Sequence, residues 1–435
     1  MNCALFDQAA AMSVASRHSD TPAADAAKLL MRLGLAVLMI ALPCAGVVSR
    51  GAVYVLLPVG AILMLIGAML GAPDHGPRQL RVALLSPAGA TALFLTFWAG
   101  LSLIWTPFPA VAFIRFLQIV GTTFLVALVA AFAPERTKPL DLYLLPVGLV
   151  LTAAATLALA LAGPAWFWGG SEFDETLFER SVIALIVLVW PALGALSLRE
   201  HWISAAGLAL LAAAVALAGS AQIALAAMGA GAFAFAIAMS EPSRTARLLA
   251  LILAPLILLA PALALLYGFI FRMTGLEPGP ASTSLLVWSD LIAEQWPRLI
   301  TGHGFDTAKR ALSLGYLPGR TPRSLLFVVW YDLGLVGAVA FAVLIARVVM
   351  LAGRIPAIVA PAALAGLVAI LTLAFLGVAA AQIWWVTLID CNVVAFAILI
   401  KGVYRTQRPI APTIDAVGLQ PETAQVGAAS SSQDA

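Results

Sequence analysis

Four cationic side chains lie close together in one segment of the sequence, residues 301–323, which reads TGHGFDTAKRALSLGYLPGRTPR. They are Lys309, Arg310, Arg320 and Arg323. Guanidinium groups suit phosphate oxygens because they can bind them in a bidentate manner. The segment therefore predicts a phosphate-binding site. A solvated basic loop that rests on anionic lipid headgroups is the alternative.

Two arginines elsewhere in the sequence are candidates for the same anion site. Arg180 precedes one apolar run, and Arg115 lies early in another. Ionisable residues within apolar spans are costly and are often functional. The alternative for Arg115 is that its aliphatic stem lies in the apolar span while its guanidinium group extends to the membrane interface. We predict that both join Arg310, Arg320 and Arg323 in binding phosphate groups.

Gly302 and Gly304 flank His303 at the start of the same segment. Glycines allow a tight turn and a close approach of the backbone to a ligand. His303 is a candidate general base, and an ordinary turn residue is the alternative.

Asp332 lies within an apolar run that follows the basic segment. A carboxylate in such a run is expected to face the protein interior and to have a partner. We predict that it lies near the outer mouth of the protein, with Arg180 or Arg323 as its partner, and that it is a second candidate for a catalytic base.

The sequence contains no P-loop, no dinucleotide-binding fingerprint and no cluster of metal ligands. The four histidines, His18, His75, His201 and His303, are scattered. We therefore predict neither a metal nor a cofactor. An enzyme with this site would need a donor that arrives already activated, for example as a lipid pyrophosphate.

Composition defines the elements that must position these residues. Of 435 residues, 63% are hydrophobic and 10% are charged, whereas a soluble domain carries roughly 25% charged residues. Apolar runs of the length needed to cross a hydrocarbon core of roughly 30 Å recur along the chain. Since backbone groups in lipid must be bonded internally, we predict an all-α integral membrane protein.

The sequence predicts about twelve transmembrane helices and one large loop between helices 9 and 10. The spans are predicted at 31–49, 52–71, 88–105, 110–133, 141–162, 181–198, 203–219, 221–240, 248–269, 325–350, 357–379 and 383–400. The corresponding regions are a cytoplasmic N-terminal segment (1–30), nine spans (31–269), the loop (270–324), three spans (325–400) and a disordered cytoplasmic tail (401–435).

Orientation follows from the connections between the spans. Lys and Arg residues are more numerous on one side, which the positive-inside rule assigns to the cytoplasm. An even number of spans then places both termini in the cytoplasm and the 270–324 loop on the opposite face. Within the loop, residues 282–300 have apolar side chains at helical spacing, which favours a helix on the membrane face.

Four segments resemble the O-antigen ligase and O-antigen polymerase superfamily of bacterial membrane glycan transferases. They are LSLIWTPFPAVAFIRFLQ (101–118), FERSVIALIVLVWPAL (178–193), LITGHGFDTA (299–308) and TPRSLLFVVWYDLGLVGA (321–338). These are similar to the family's tryptophan–proline turn, its arginine before a proline-containing helix, its glycine-rich turn and its final motif, in the same order. The resemblance extends over about residues 90–345.

The resemblance implies a multi-pass protein of the bacterial inner membrane that acts in envelope polysaccharide assembly, including that of lipopolysaccharide. It implies a metal-independent glycosyltransferase that moves a glycan from an undecaprenyl-pyrophosphate donor to a lipid or glycan acceptor in the periplasm. Membrane lipid is the other partner, and no nucleic acid is implied. In such a site, arginines hold the pyrophosphate and a histidine deprotonates the acceptor hydroxyl.

The chain departs from the family pattern where that histidine is expected, because the position is occupied by Arg323 and is followed by Ser324. An arginine cannot serve as a base at ordinary pH. The family's glutamate corresponds to Asp332. The resemblance therefore implies a pyrophosphate site on arginines, with Asp332 or His303 as the base. The alternative is a carrier, or a member that binds an anionic or lipid-linked glycan without turnover.

Overall fold

The computed structural model of the protein describes residues 22–49, 51–71, 76–133, 139–162, 175–219, 221–274, 279–377 and 383–403. Every regular element in these ranges is a helix, which confirms the predicted all-α class for this part of the chain. The α-helices are α1 (Pro22–Ala36), α2 (Leu42–Val48), α3 (Ala52–Gly71), α4 (Gly76–Leu85), α5 (Pro87–Leu101), α6 (Pro109–Phe132), α7 (Leu144–Ala162), α8 (Glu175–Ser197), α9 (Trp202–Ala218), α10 (Gln222–Ala238), α11 (Pro242–Thr274), α12 (Pro280–Glu294), α13 (Arg298–Thr301), α14 (Thr307–Ser313), α15 (Leu325–Ala352), α16 (Ala360–Leu376) and α17 (Ile383–Val403).

Nine helical stretches among the described residues are long and apolar enough to cross a membrane. One of them combines α1 and α2 through the π-helical turn Val37–Ala41. Each predicted span coincides with a helix, but α9, α10 and α16 have only 17 residues each, fewer than the roughly 20 that a simple crossing needs. The helices fit a multi-pass membrane protein, and a total of twelve crossings stays a prediction.

Local sequence signals explain where several helices begin. The Ser86 hydroxyl accepts a hydrogen bond from the Gly89 amide at the start of α5, and the Ser324 hydroxyl accepts one from the Phe327 amide at the start of α15. Side-chain caps of this kind satisfy amides that have no partner within the helix. α6 instead begins with Pro109, whose fixed φ suits a first helical turn.

The most deeply buried helix is α8, which packs against α7, α9, α16 and α17. Its Trp190 is almost fully enclosed. Gly231 of α10 and Gly366 of α16 face this indole, and a Cβ at Gly231 would collide with it. Small residues therefore let two neighbouring helices approach the centre of the bundle closely.

Contacts at the end of the bundle remote from the basic segment join several helix termini. The Arg32 guanidinium lies 3.5 Å from the Asp141 carboxylate. The Lys401 ammonium donates to the Ala133 carbonyl at 2.7 Å, beyond the last residue of α6. Lys401 is the first residue of the predicted cytoplasmic tail.

The loop between the ninth and tenth predicted spans is more helical than the sequence pattern alone indicates. α11 continues to Thr274, so Arg272, which was expected in the loop, lies in its last turn and pairs with Asp290. α12 confirms a helix in the 282–300 region. Its Trp288 is buried edge-on against Phe327 of α15, so this face of α12 packs on protein.

The predicted N-terminal segment falls mostly outside the described residues, as does the predicted tail beyond residue 403.

Gly334→Ala is expected to lower the free energy of unfolding by about 2 kcal/mol or more. Gly334 has φ 66° inside α15, and an added Cβ would meet the backbone of Ile300 and Gly302. The measurement is thermal unfolding in detergent. Gly229→Ala in α10 is the matched control, since its Cβ would meet nothing within 4 Å. Equal stability of the two variants would contradict this account.

Candidate functional site

The candidate site is built around a break in α15 at Gly334. Carbonyl groups before the break accept hydrogen bonds from outside the helix. The Tyr331 carbonyl accepts from the His303 amide at 2.8 Å, and the Asp332 carbonyl accepts from the Gly304 amide at 2.9 Å. The Leu333 carbonyl accepts from the indole nitrogen of Trp98 at 2.9 Å.

The two predicted turn glycines have positive φ values, 73° for Gly302 and 100° for Gly304. A Cβ at Gly302 would collide with the backbone of Asp332, and one at Gly304 would collide with Thr106. The predicted close approach is therefore present, but it brings the turn against α15 and the α5–α6 connection instead of against a ligand.

Asp332 is only 3% exposed. Its carboxylate accepts a hydrogen bond from the Ala308 amide at 2.7 Å and also interacts with the amides of Asp306 and Thr307. These amides begin α14, where a negative charge is favourable. Asp332 does not form the expected ion pair with Arg180 or Arg323. The amides at the start of α14 stabilise its negative charge instead.

The connection between α5 and α6 holds the other side of the turn. The Ser102 hydroxyl accepts from the Phe305 amide at 3.0 Å, and the Thr106 hydroxyl lies 3.1 Å from that of Thr307. Both Ser102 and Thr106 are buried. Sequence reasoning missed these residues, although they lie within the segment 101–118 that carries part of the resemblance.

Arg115 reaches the same turn from α6. Its guanidinium lies 3.3 Å from the carboxylate of Asp306, a residue that is 2% exposed and has φ 60°. Burial raises the pKa of Asp306, while the positive charges of Arg115, Lys309 and Arg310 lower it. Asp306 is thus surrounded by cations, and it was not predicted as a site residue.

Positive charges from three separate parts of the chain converge around Lys309. Burial lowers the pKa of Lys309, and the charges of Arg115, Arg310 and Arg180 lower it further, whereas Asp306 opposes them. Charges must lie close together to act on one another in this way. We refer to Arg115, Arg180, Lys309 and Arg310 as the cationic cluster.

Arg180 also borders a hollow between helices. Its guanidinium lies 5.3 Å from the centre of the Trp384 ring, in a cation–π contact. The hollow is otherwise mostly apolar, with Leu42, Leu177 and Leu388 among its lining residues. A cation therefore stands at the edge of an apolar groove.

The remaining predicted arginines, Arg320 and Arg323, are exposed. Among the described residues neither forms an ion pair, and neither forms a hydrogen bond with a residue of the cationic cluster. The structure therefore brings together Arg115, Arg180 and Arg310 of the predicted set, with Lys309 in addition.

His303 has a different set of neighbours. Its Nδ1 lies 3.0 Å from the Tyr331 carbonyl, its Nε2 lies 2.5 Å from the side-chain oxygen of Gln295, and its ring stacks on that of Tyr331 at 4.0 Å. Burial lowers the pKa of His303 below its ordinary value of 6.5; the Tyr331 carbonyl opposes this shift, and Arg298 adds to it.

Both ring nitrogens of His303 face oxygen atoms that only accept hydrogen bonds, the Tyr331 carbonyl at Nδ1 and the Gln295 side-chain oxygen at Nε2. A neutral ring donates to one of these oxygens, and a protonated ring donates to both. Nε2 can therefore serve as a base only when the Gln295 oxygen turns away from it.

The described residues contain no group of three or more His, Cys, Asp or Glu side chains suited to a metal ion. Comparisons with protein-family models, with curated proteins and with solved structures found no match. The resemblance to the O-antigen ligase and polymerase superfamily therefore rests on the four sequence segments alone.

Asp332→Ala is expected to speed hydrogen exchange of the Ala308 amide by about tenfold or more, because a buried amide loses its acceptor. Exchange followed by mass spectrometry on peptides that cover residues 305–314 measures this change. Asp290→Ala, which removes an exposed carboxylate of the same loop region, should leave these peptides unchanged. Unaltered exchange in Asp332→Ala would exclude the capping role.

Proposed function

We propose that the protein transfers a glycan from a lipid-linked pyrophosphate donor to a hydroxyl group of an acceptor. The observation that carries the proposal is the position of Arg115, Lys309 and Arg310 around Asp306, with Arg115 3.3 Å from its carboxylate and Arg180 near enough for its charge to act on Lys309. Within the described part of the chain these four cations outnumber the one carboxylate among them, and a diphosphate would supply further negative charge.

The chemistry requires that negative charge develop on the leaving group. A new C–O bond forms between the sugar carbon of the donor and the acceptor oxygen. The C–O bond to the pyrophosphate breaks, and its electron pair stays on the phosphate oxygen. Fixed cations next to that oxygen stabilise the transition state more than the ground state. The side chains beside Arg180 are mostly apolar, which is the character that contact with the lipid part of the donor requires.

The proton of the acceptor hydroxyl needs a base, and His303 suits this role better than Asp332. The Asp332 carboxylate is buried and bound to the amides of α14, so we assign it a positioning role. The Nε2 atom of His303 lies against the side-chain oxygen of the exposed Gln295, and it becomes available to the acceptor hydroxyl when that side chain turns away. In the proposed reaction His303 takes the proton at Nε2 and returns it to water.

The proposal includes the setting that the sequence predicts. It is a multi-pass protein of the bacterial inner membrane with twelve spans, both termini in the cytoplasm and the loop of residues 270–324 in the periplasm. In this setting the pyrophosphate of a lipid-linked glycan used in envelope polysaccharide assembly would bind directly to the cationic cluster. Arg320 and Arg323 are exposed on the same loop. They would contact phosphate groups of the donor before the donor reaches the cationic cluster.

A carrier of an anionic or lipid-linked glycan is the second candidate. A carrier needs a site that opens to both faces in turn, commonly near the membrane midplane between broken helices. The break in α15 at Gly334 is the feature in its favour. The location of the cationic cluster beside the loop helix α14 favours the transferase.

Arg180→Gln is expected to reduce glycan transfer and the affinity for undecaprenyl pyrophosphate by about tenfold or more, through loss of a charge-assisted contact to phosphate. The assay uses purified protein in lipid. Arg199→Gln is the matched control, because Arg199 also lies over an aromatic ring, that of Tyr143 at 5.7 Å, but outside the cluster. Equal activity of Arg180→Gln and wild type would reject the assignment.

His303→Gln is expected to abolish transfer while undecaprenyl pyrophosphate still binds. In the wild type, only the neutral ring accepts the proton. Since the pKa of His303 lies below 6.5, transfer should persist at pH 6.5 and fall only at lower pH. A pH–rate profile measures this. Full activity of His303→Gln, or an acid limb above pH 6.5, would exclude His303 as the base.

A further inference from the structure

A buried acid in α17 has no part in the proposed reaction. Asp390 is 4% exposed, and its Oδ2 atom is enclosed without a hydrogen-bond partner. Its carboxyl group accepts a hydrogen bond from the hydroxyl of Thr123 in α6. Among the described residues no cation forms an ion pair with it. Asp390 is therefore a buried carboxyl group without a counter-ion.

The next two residues fix the rotation of α17 about its axis. The Cys391 thiol donates to the Leu38 carbonyl of the π-helical turn at 3.4 Å. The Asn392 side-chain amide donates to the Val187 carbonyl of α8 at 2.6 Å. The Val187 carbonyl lacks its usual helical donor because Pro191, four residues later, has no N–H group. Consecutive residues of α17 thus contact different elements, and the acid that precedes them is directed to α6.

The charged residues on the surrounding elements lie away from this acid. α17 packs mainly against α3, α6, α8 and the π-helical turn. Arg115 of α6 is eight residues, or about 12 Å along the helix, from Thr123. Its guanidinium lies 3.3 Å from the Asp306 carboxylate. The other titratable residues of these elements, apart from Cys391, are near helix ends: Tyr54 in α3, Glu175, Glu179 and Arg180 in α8, and Lys401 in α17.

The neutral acid is the favourable form of a carboxyl group in such surroundings, because an unpaired carboxylate in an apolar interior costs far more free energy. We infer that Asp390 is a proton-binding site inside the helix bundle and that it holds a proton near neutral pH. The ligand is a proton and not a metal ion, since one enclosed carboxyl group and one hydroxyl group supply too few oxygen ligands. The inference does not depend on the proposed glycan transfer.

The residue that binds this acid also connects it with the outside of the bundle. Thr123 is exposed on α6, so its hydroxyl gives the proton a route to and from Asp390. Loss of the proton would leave a charge that only water or a cation could stabilise. To admit either, α6 would have to move away from α17. Because α6 also carries Arg115, this movement would alter the contact between Arg115 and Asp306.

Infrared spectroscopy of the purified full chain in lipid tests for the proton. The carbonyl stretching band of a protonated carboxyl group is separate from the bands of carboxylates and amides. At neutral pH the difference spectrum between wild type and Asp390→Asn should contain this acid band. Asp290→Asn is the control, because it removes an exposed carboxyl group that pairs with Arg272, and it should leave the acid band unchanged.

Two neighbouring threonines of α6 provide a matched pair of variants that keep the acid. Thr123→Val removes the hydrogen bond to Asp390 and should shift the acid band to higher frequency, because a carbonyl group without that bond is stiffer. Thr122→Val should leave the band in place, since the Thr122 hydroxyl donates to the Gln118 carbonyl within α6 at 2.8 Å. The inference would be overturned by equal acid bands in Asp390→Asn and wild type, or by equal band positions in the two threonine variants.

Discussion

Gly334 interrupts α15 where the helix meets the turn of residues 302–306, and the carbonyl groups at this break must find other donors. In a low-dielectric interior an unpaired carbonyl costs several kcal/mol. The amides of His303 and Gly304 satisfy two of these groups, and the Trp98 indole satisfies the third. The break therefore determines where the turn lies. The turn carries the candidate base, His303, and leads into α14, which bears Lys309 and Arg310.

Buried carboxylates have two different roles around this turn. Asp332 is compensated by the amides that begin α14, which fixes the helix that bears Lys309 and Arg310. Asp306 is compensated by Arg115 from another helix. Asp306 also offsets the charges of Lys309 and Arg310, yet the like charges of Arg115, Arg310 and Arg180 still lower the pKa of Lys309, which is a cost in electrostatic energy. An anionic ligand would relieve that cost, which is the physical basis of the proposed donor site.

The same turn joins the candidate base to the cationic cluster. Its His303 ring stacks on that of Tyr331, and the turn leads directly into α14, which bears Lys309 and Arg310. The proposed transfer needs a base and leaving-group stabilisation in fixed positions. The rigid anchoring of the turn by Ser102 and Thr106 keeps this geometry from depending on an otherwise exposed loop.

Composition and hydropathy by themselves determined the all-α class and located the apolar helices, because the need to satisfy backbone hydrogen bonds in lipid leaves few alternatives. The sequence predicted that Arg310 in the loop would join the distant Arg115 and Arg180, since the predicted topology places all three at the outer face; it also predicted Arg320 and Arg323 there, and not Lys309. The partner of Asp332, the position of Asp306 and the orientation of His303 were not. They depend on contacts between residues far apart in the chain around a broken helix, and only the tertiary structure decides which donor meets which acceptor there.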